Sequence, residues 1–345
     1  MPVHGGGHIN DSYHLINTEA GAPDYLLQRV NHYVFKDVPL LMRNMAQVTR
    51  HIRGVLEAQK VKDIERRSLE IIPTHSGDDY FKDPDGNFWR VLNFIPDHLV
   101  FDSASEPALA YEGALMFGGF TTMLNDLPAS GLGDTIPKFH NMQFRLDNLE
   151  TAIRENKAGR LSQVKDEIDY VRRSADLMCT IQRLGKEGAI PERVTHNDTK
   201  INNVLFDKQR KGLCVIDLDT VMPGYVHYDF GDGIRTFTNT GDEDEEDLTK
   251  INMDLEMYRA FSEGFLEATR SILRRAEAES LVYAGLLFPF IMAVRFLTDY
   301  LDGDLYYKVK HPEHNLVRAR AQFRLAQDGE AKLEECKKII SGLVA

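Results

Sequence analysis

The chain has 345 residues, of which 43% are hydrophobic and 27% charged, an ordinary globular composition that is long enough for two lobes with their own cores. Its net charge of −12 argues against non-specific nucleic-acid binding, because such binding needs basic patches that neutralise phosphates. Three widely spaced cysteines favour neither a zinc finger nor a disulfide framework, and no stretch approaches the ~18 apolar residues of a membrane span, so we expect a cytoplasmic location with no membrane partner.

The first part of the chain predicts a small β-rich unit with one helix. Short runs of β-branched and aromatic residues are bounded there by turn residues, and one longer run has apolar residues at helical spacing. Only four residues precede the first turn, so the strand leading into it is expected to be short, absent or truncated. The predicted elements are a glycine-rich turn at Gly5, Gly6 and Gly7, strands at 9–16 and 25–30, a helix at 38–57, and strands at 68–72 and 88–94.

The remainder of the chain predicts mainly helices, at 112–127, 160–184 and 248–266. A fourth helix, over 286–297, is apolar on all sides except at Arg295, whose buried guanidinium therefore needs a partner. Asp299 lies four residues on and is one such partner. Alternatively, Arg295 faces a cleft and contacts an acceptor molecule or transition-state charge.

The segment from residue 196 to residue 217 carries the strongest functional pattern. Two apolar runs, 203–206 and 213–216, flank a polar stretch and predict a hairpin. Antiparallel return brings Asp217 back beside Asn203, while Asp198 lies in the loop just before it.

Oxygen ligands of this kind suit Mg²⁺, which binds one or two carboxylates together with substrate phosphates. We therefore expect Asn203 and Asp217 to hold the metal and Asp198 to act as the base that accepts a proton from an attacking hydroxyl. The alternative is that these residues only form turns around a hairpin, since Asp and Asn are abundant in turns.

The spacing of His196, Asp198 and Asn203 is that of the protein-kinase catalytic loop. Residues 216–219, Ile-Asp-Leu-Asp, stand where protein kinases have Asp-Phe-Gly. With this replacement the chain resembles the aminoglycoside phosphotransferase and choline kinase superfamily. Further strings resemble the N-acetylhexosamine 1-kinases, so that the resemblance covers nearly the whole chain; they are residues 7–11, 27–31, 196–200, 217–224, 229–232 and 295–304.

The resemblance implies an α+β, two-lobed, protein-kinase-like fold. A small β-rich N-lobe, residues 1–95, is expected to bind nucleotide, and a larger, mainly helical C-lobe, residues 96–345, to carry the catalytic loop, metal site and acceptor helices. The implied activity is ATP- and Mg²⁺-dependent phosphorylation of the anomeric hydroxyl of N-acetylglucosamine or N-acetylgalactosamine. The acceptor is expected to contact Asp198 and Arg295. Oligomeric state is left open.

The resemblance also implies where nucleotide binds. Backbone amides of the turn at Gly5, Gly6 and Gly7 are expected to approach the triphosphate. The hinge between the lobes, with Asn93, Phe94 and Ile95, is expected to meet adenine. Kinases pair a strand Lys with a helix Glu, but this chain has Arg29 on the strand and no Glu in the helix core at 40–52, so Arg29 is expected to hold phosphate in place of Lys.

Three alternatives stay open at this point. The same fold phosphorylates another acceptor, such as choline, homoserine, another sugar or an aminoglycoside, since acceptor pockets are built from loops. The acidic run 242–247 is either a solvated helix start or part of a pocket for a cationic aminoglycoside. The missing Lys and Glu favour a catalytically dead nucleotide-binding scaffold, which the intact Asp198, Asn203 and Asp217 oppose.

Overall fold

A computed structural model describes residues 9–344 of the chain. Its N-terminal part is a small, antiparallel sheet, in which β5 lies between β2 and β3, β1 lies outside β2, and β4 also pairs with β5. The predicted strands and the predicted helix are confirmed here. The elements are β1 (Asp11–Leu15), β2 (Tyr25–Val30), α1 (Val38–Ala58), α2 (Ile64–Arg67), β3 (Ile71–Ile72), β4 (Phe81–Lys82) and β5 (Phe88–Asn93).

The rest of the chain is mainly helical, with short strand pairs that carry the catalytic loop, and this confirms the two-lobed α+β prediction. Two antiparallel pairs, β6 with β9 and β7 with β8, lie between the helices. The elements are α3 (Pro107–Met123), α4 (Met142–Glu155), α5 (Lys165–Met178), α6 (Thr180–Lys186), β6 (Arg193–Thr195), β7 (Val204–Phe206), β8 (Gly212–Val215), β9 (Met222–Gly224), α7 (Val226–Thr238), α8 (Leu255–Thr269), α9 (Arg275–Asp302), α10 (His314–Ala331) and α11 (Leu333–Val344).

Three helix predictions were wrong in their boundaries. The helix predicted over 112–127 is α3, which begins at Pro107 and ends at Met123. The single helix predicted over 160–184 is broken at Cys179, whose amide is shared between the carbonyls of Ala175 and Asp176, so α5 ends and α6 begins there. Apolar periodicity missed this break because the buried apolar side chains continue on both sides of it. The helix predicted from residue 248 begins instead at residue 255, where Asp254 caps the first turn of α8.

The long helix α9 forms the centre of the large lobe and packs against α10, α7 and α4. By length and composition it is apolar enough to cross a membrane, and 78% of its most apolar stretch is buried inside the fold. Its apolar residues are therefore core residues on every side. This burial accounts for the apolar run predicted at 286–297.

A buried ion pair joins α9 to the strand that enters the catalytic loop. The Arg193 guanidinium in β6 donates to both carboxylate oxygens of Glu277, at 2.7 and 2.9 Å, and Glu277 is fully buried. Arg193 also donates to Asn125 and to the Ile272 carbonyl. This two-pronged pair fixes the start of β6 against the core helix.

The helix α1 is tied to the large lobe by one buried amide side chain. Asn44 donates to the Gly133 carbonyl at 2.7 Å and to the Val221 carbonyl at 3.0 Å, and it accepts from the Gly133 amide. Val221 lies just beyond the end of the catalytic hairpin. The position of α1 is therefore coupled to the segment that follows Asp217.

Candidate active site

The predicted catalytic hairpin is present. β7 and β8 pair with Val204 opposite Val215, and the Ile216 amide donates to the Asn203 carbonyl at 2.9 Å. Asn203 and Asp217 consequently lie at the same end of the hairpin. Asp217 has a left-handed backbone, with φ 61° and ψ 61°, which turns the chain sharply as it leaves the strand.

The Asp198 carboxylate is held by two side chains of its own loop. Lys200 Nζ lies 3.0 Å from one oxygen, and the Asn203 amide donates to the other at 2.9 Å. Asn203 also donates to the Asp198 carbonyl, at 2.8 Å. About one quarter of the Asp198 side chain is exposed. The carboxylate is therefore oriented yet accessible, as a general base must be.

Asp229, in the first turn of α7, braces the catalytic loop, as predicted. Its two carboxylate oxygens accept from the amides of His196 and Asn197 at 2.9 and 2.7 Å. Asp232, one turn on, accepts from the Thr199 amide at 2.9 Å. Burial raises the pKa of Asp229 to about 6, while the two amide donors and His196 oppose that rise. Backbone amides on both sides of residue 198 are therefore held by α7.

Asp217 carries the negative charge that a cation needs. The surrounding protein desolvates its carboxylate, although the residue stays open to solvent within the cleft, and Asp219 and Asp198 add like charge, so its pKa is raised. Among residues 9–344 no cationic side chain forms an ion pair with Asp217. The Asn203 amide nitrogen is turned toward Asp198, which leaves its oxygen available. These two residues fit Mg²⁺.

No group of three or more His, Cys, Asp or Glu side chains among residues 9–344 is arranged to hold an ion by itself. Mg²⁺ sites in phosphoryl-transfer enzymes are commonly incomplete in this way, because waters and substrate phosphates supply the remaining ligands. Asn203 and Asp217 would therefore need waters and substrate phosphates to complete a Mg²⁺ site.

Of the predicted phosphate contacts, the structure places only Arg29. Gly5, Gly6 and Gly7 lie outside the described residues. The Arg29 prediction was wrong in orientation: its half-exposed side chain forms an ion pair with Asp11 of the neighbouring strand. Side chains alternate along a strand, so Arg29 lies on the face opposite to its neighbour, which points inward to the site.

The predicted hinge is largely occupied by protein contacts. The Asn93 amide donates to Glu70, and its side chain accepts from the Glu70 amide at 2.7 Å. The Phe94 amide donates to Asp24, and the Phe94 ring stacks on His14. Within residues 9–344, the Ile95 amide is the one of these three without a hydrogen-bond partner, so it is the predicted hinge donor that remains for adenine.

Sequence reasoning missed a buried arginine beside the turn that contains Asp217 and Asp219. Arg90 in β5 forms an ion pair with Asp219, with Nη1 and the carboxylate oxygen 2.5 Å apart, and both side chains are about 2% exposed or less. Strand alternation places Arg90 on the same face as the buried Leu92. The sequence does carry a sign of this pair: Arg90 occupies a strand position whose neighbours on the same face are apolar. A buried arginine at such a position needs a carboxylate partner.

A cationic and aromatic group lies beside the catalytic loop, where the sequence predicts the acceptor. The Arg295 guanidinium lies over the rings of Phe139 and Tyr307, at 5.1 and 5.6 Å from their centres. Arg145 donates to the Phe139 carbonyl, and burial together with Arg295 lowers the pKa of Arg145 to about 10. Neither arginine forms an ion pair within residues 9–344. We call Phe139, His140, Arg145, Arg295 and Tyr307 the acceptor cluster.

His140 links this cluster to the catalytic loop. Its Nε2 donates to the carbonyl of Asn197, at 3.1 Å, one residue before Asp198. Phe139, His140 and Asn197 also line a cavity of about 220 Å³. Three buried polar atoms of the acceptor cluster have no hydrogen-bond partner within residues 9–344: His140 Nδ1, Arg145 Nε and the Tyr307 hydroxyl. Unpaired buried polar atoms of this kind point to a ligand or ordered water.

Asp299 does not pair with Arg295, so that part of the sequence reasoning was wrong. Its carboxylate instead accepts from the amides of Leu305, Tyr306 and Tyr307, at 2.8 to 2.9 Å. Asn315 adds a fourth donor at 2.9 Å. Asp299 therefore holds the loop that carries Tyr307 into the acceptor cluster.

The acidic run is engaged with cations of the protein. Asp244 pairs with Lys310 and His314, at 2.7 and 2.9 Å, and these two partners lower the pKa of Asp244. Glu243 lies 3.3 Å from the buried Arg235 guanidinium. These carboxylates join the segment after α7 to the C-terminal helices. This engagement disfavours the pocket for a cationic acceptor. The solvated helix start is confirmed in part, because Asp242 and Glu246 are exposed and Asp247 caps the short 3₁₀ helix Leu248–Lys250.

Two buried histidines each contribute a loss of stability in mild acid. Burial, with Arg295 nearby for His140, lowers the pKa of His140 and of His227 to about 3, against about 6.5 in an unfolded chain. At these two sites the unfolded state therefore binds more protons between pH 6.5 and pH 3, so their contribution to stability falls as pH falls through that range. The raised pKa of Asp217 and of Asp229 acts in the opposite direction, so the histidine effect is the difference between a histidine variant and wild type. We expect about 1.4 kcal/mol per pH unit for each histidine.

The measurement is the unfolding free energy from urea titrations between pH 7.5 and pH 5. His227→Gln should remove the contribution of one histidine to the change in unfolding free energy per pH unit, whatever it does to the unfolding free energy at pH 7.5. His75→Gln, at an exposed position, should leave the slope unchanged. An unchanged slope in His227→Gln would contradict the prediction.

Comparison with known proteins agrees with this geometry. The model of the phosphotransferase enzyme family, APH, matches residues 2–265. An aminoglycoside phosphotransferase from Alicyclobacillus acidocaldarius has a similar structure, with a TM-score of 0.60 and 16% identity over 99% of this chain and 93% of that one. A choline/ethanolamine kinase family protein from Mesorhizobium loti has a TM-score of 0.54 and 16% identity over 98% of this chain and 90% of that one.

A spectinomycin phosphotransferase in complex with ADP and spectinomycin has a TM-score of 0.55 and 12% identity, over 96% of this chain and 91% of that one. Identities this low establish the shared fold and not a shared acceptor. With a family match over most of its length, the chain belongs to the phosphotransferase enzyme family, APH.

Proposed function

We propose that this protein transfers the γ-phosphoryl group of ATP to the anomeric hydroxyl of N-acetylglucosamine or N-acetylgalactosamine, giving the sugar 1-phosphate. The observation that carries the proposal is the acceptor cluster, which presents two arginines without acidic partners beside the loop of Asp198. The strings that resemble N-acetylhexosamine 1-kinases support the same acceptor.

The charge of the acceptor cluster selects among the acceptors of the superfamily. A cationic acceptor such as choline or an aminoglycoside would be repelled by Arg145 and Arg295, since like charges brought together in a partly desolvated site cost energy. A neutral acetamido sugar offers hydroxyl and carbonyl oxygens instead. Arg145 Nε and the Tyr307 hydroxyl are buried donors that lack an acceptor in the described part of the chain, and sugar oxygens would satisfy them.

In this proposal Asp198 orients the anomeric hydroxyl and accepts its proton as the oxygen bonds to the γ-phosphorus and the bond to ADP breaks. Lys200 and Asn203 hold the carboxylate in place, and the amides bound to Asp229 fix its loop. Asn203 and Asp217 would hold Mg²⁺. The metal held there would supply positive charge that offsets the negative charge developing on the phosphates. The protein contributes mainly positioning and electrostatics.

We place ATP between an N-lobe of residues 1–95 and a C-lobe of residues 96–345. The Ile95 amide at their junction is available for adenine, and the turn at Gly5, Gly6 and Gly7 stays a predicted phosphate contact. ADP in the spectinomycin phosphotransferase supports nucleotide use by this fold. A cytoplasmic location, where ATP is abundant, also remains part of the proposal.

The test is ADP release from MgATP with a panel of N-acetylglucosamine, N-acetylgalactosamine, glucose, galactose, choline, homoserine and kanamycin, with products located by ³¹P NMR. We expect 1-phosphates of the acetamido sugars and no turnover of choline or kanamycin. A 6-phosphate, or turnover of a cationic acceptor alone, would overturn the proposed acceptor while keeping the kinase. ATP binding without turnover of any acceptor would favour a nucleotide-binding scaffold.

Arg295→Met should raise KM for the acetamido sugar about 10- to 100-fold with KM for ATP unchanged, because hydrogen bonds to charged groups contribute about 1.5–3 kcal/mol. Methionine keeps the packing against Phe139 and Tyr307. Arg154→Met, on an exposed face of α4, is the matched control and should leave both constants unchanged. A rise in KM for ATP instead would remove Arg295 from the acceptor site.

A further inference from the structure

Kinases couple their two lobes through a Lys on a strand of the small lobe and a Glu on the helix behind it. In this chain the inward-facing residue of β2 is Gln28, and α1 presents Met42 and Met45 toward the same place. The small lobe nevertheless supplies one buried cation there, Arg90 of β5. Its partner is Asp219, on the segment that leaves the catalytic hairpin.

The Arg90–Asp219 pair is the centre of a network that draws in several parts of the small lobe. Arg90 Nε donates to the Gln28 side chain at 2.9 Å, and Gln28 donates to the Ser12 hydroxyl of β1. The Asn10 side chain donates to the second oxygen of Asp219 at 2.6 Å. Three strands and the residue before β1 thus converge on a single carboxylate of the large lobe.

A pair so deeply buried is weak evidence for stability, because well-packed apolar residues commonly replace such pairs without loss. A role in holding position accounts for it better. Asp219 lies two residues after Asp217, and the next residues are also fixed: Thr220 donates to the His196 carbonyl at 2.7 Å and accepts from Asn197 at 2.9 Å. Asp219 is the point at which the small lobe holds this short segment.

Holding this segment matters for Asp217 in two ways. Its left-handed backbone is sparsely populated for a residue with a side chain, and such conformations persist only where surrounding contacts over-determine them. In addition, Asp217, Asp219 and Asp198 are like charges close together, and Arg90 neutralises one of them. Without Arg90 the Asp219 carboxylate would be driven from its place, and the turn at Asp217 would lose its constraint.

We propose that Arg90, acting through Asp219, is the positioning residue of the metal site and takes the place of the strand Lys and helix Glu of other kinases. It fixes Asp217 so that metal and nucleotide bind together. The position of Asp217 then depends on the contact between the small lobe and the large lobe. The inference rests on the proposed function in one respect, the assignment of Asp217 as a metal ligand.

The test measures binding and needs no acceptor. ADP affinity is determined by calorimetry with and without Mg²⁺ for wild type, Arg90→Met, Arg90→Lys and Asp219→Asn. Loss of a residue that orients a metal ligand typically costs 10- to 100-fold in metal affinity. We therefore expect the factor by which Mg²⁺ raises ADP affinity to be about 10- to 100-fold smaller in Arg90→Met and Asp219→Asn than in wild type. The affinity for ADP without Mg²⁺ should stay within about threefold of wild type. Arg90→Lys should recover part of the loss.

Arg50→Met is the matched control, since Arg50 pairs with Asp79 on the exposed face of α1, and it should behave as wild type. Hydrogen exchange of the amides of residues 218–221 adds a second readout and should quicken in Arg90→Met and Asp219→Asn but not in Arg50→Met. A merely structural role would lower the melting temperature without changing the Mg²⁺ dependence of the folded protein.

Two failures are distinguishable. If wild type binds ADP more tightly with Mg²⁺, and folded Arg90→Met or Asp219→Asn keeps the whole of that gain, Arg90 is not a positioning residue and the proposed site at Asp217 stands. If the wild-type affinity does not depend on Mg²⁺, the Asp217 site itself is overturned and this inference with it. Should Arg90→Met not fold, Asp219→Asn, which preserves shape, decides the outcome in the same way.

Discussion

Asp198→Asn is expected to lower kcat by about 10²- to 10⁴-fold, the usual contribution of a positioned general base. Asparagine has nearly the same shape but cannot accept the proton of the sugar hydroxyl. The nucleotide is bound elsewhere, so ADP affinity should stay within about threefold of wild type. Turnover of N-acetylglucosamine and calorimetric titration with MgADP measure the two quantities separately.

Asp176→Asn is a suitable control for this experiment, because the Asp176 side chain is 94% exposed and far from the catalytic loop in sequence. It should leave kcat unchanged. If Asp198→Asn lost ADP affinity to the same degree as turnover, the residue would belong to the nucleotide site rather than act as the base. A kcat within tenfold of wild type would also contradict the assignment.

Arg193→Met should destabilise the protein by about 3–5 kcal/mol, the cost expected when one partner of a buried ion pair is removed. Glu277 is fully buried and would be left without its cationic partner. Because Arg193 begins the strand that leads into the catalytic loop, the loss should reach activity as well as stability. Urea unfolding at pH 7.5 gives the stability change.

The double variant Arg193→Met/Glu277→Leu should recover at least half of the lost unfolding free energy, because it also removes the buried carboxylate that has no partner. Arg172→Met provides the comparison: Arg172 pairs with Glu150 on the surface, with both side chains about half exposed, and it should cost less than about 1 kcal/mol. Equal losses in Arg193→Met and Arg172→Met would show that burial of the pair contributes nothing.

The catalytic hairpin and the Asp229 brace were predictable because their information is local. β7, β8 and the loop before them lie within about twenty consecutive residues, and strand pairing alone returns Asp217 to Asn203. Asp229 follows shortly after on the next helix, where it was expected to accept from backbone amides, and it does.

The small-lobe side of the site was not predictable in the same way. Arg90 and Asp219 are separated by 129 positions, and no periodicity connects residues so far apart. Arg29 was chosen for its charge, although the pairing of β1 with β2 places Asp11 opposite it and offers it a partner on the outer face. Likewise, the i,i+4 spacing of Arg295 and Asp299 suggested a pair, but backbone amides of a later loop compete for the Asp299 carboxylate.

The anchoring of that loop bears on how acceptor preference can change between relatives and in the laboratory. Asp299 and Asn315 lie at the two ends of the segment; Asp299 accepts from the loop amides and from Asn315, which also donates to the Asp304 side chain. Contacts within residues 299–315 therefore shape the loop, while Asp244 and Arg160 attach it to the rest of the large lobe. Directed evolution confined to this segment would vary the wall around Tyr307 while leaving Asp198, which lies 101 positions before Asp299, untouched.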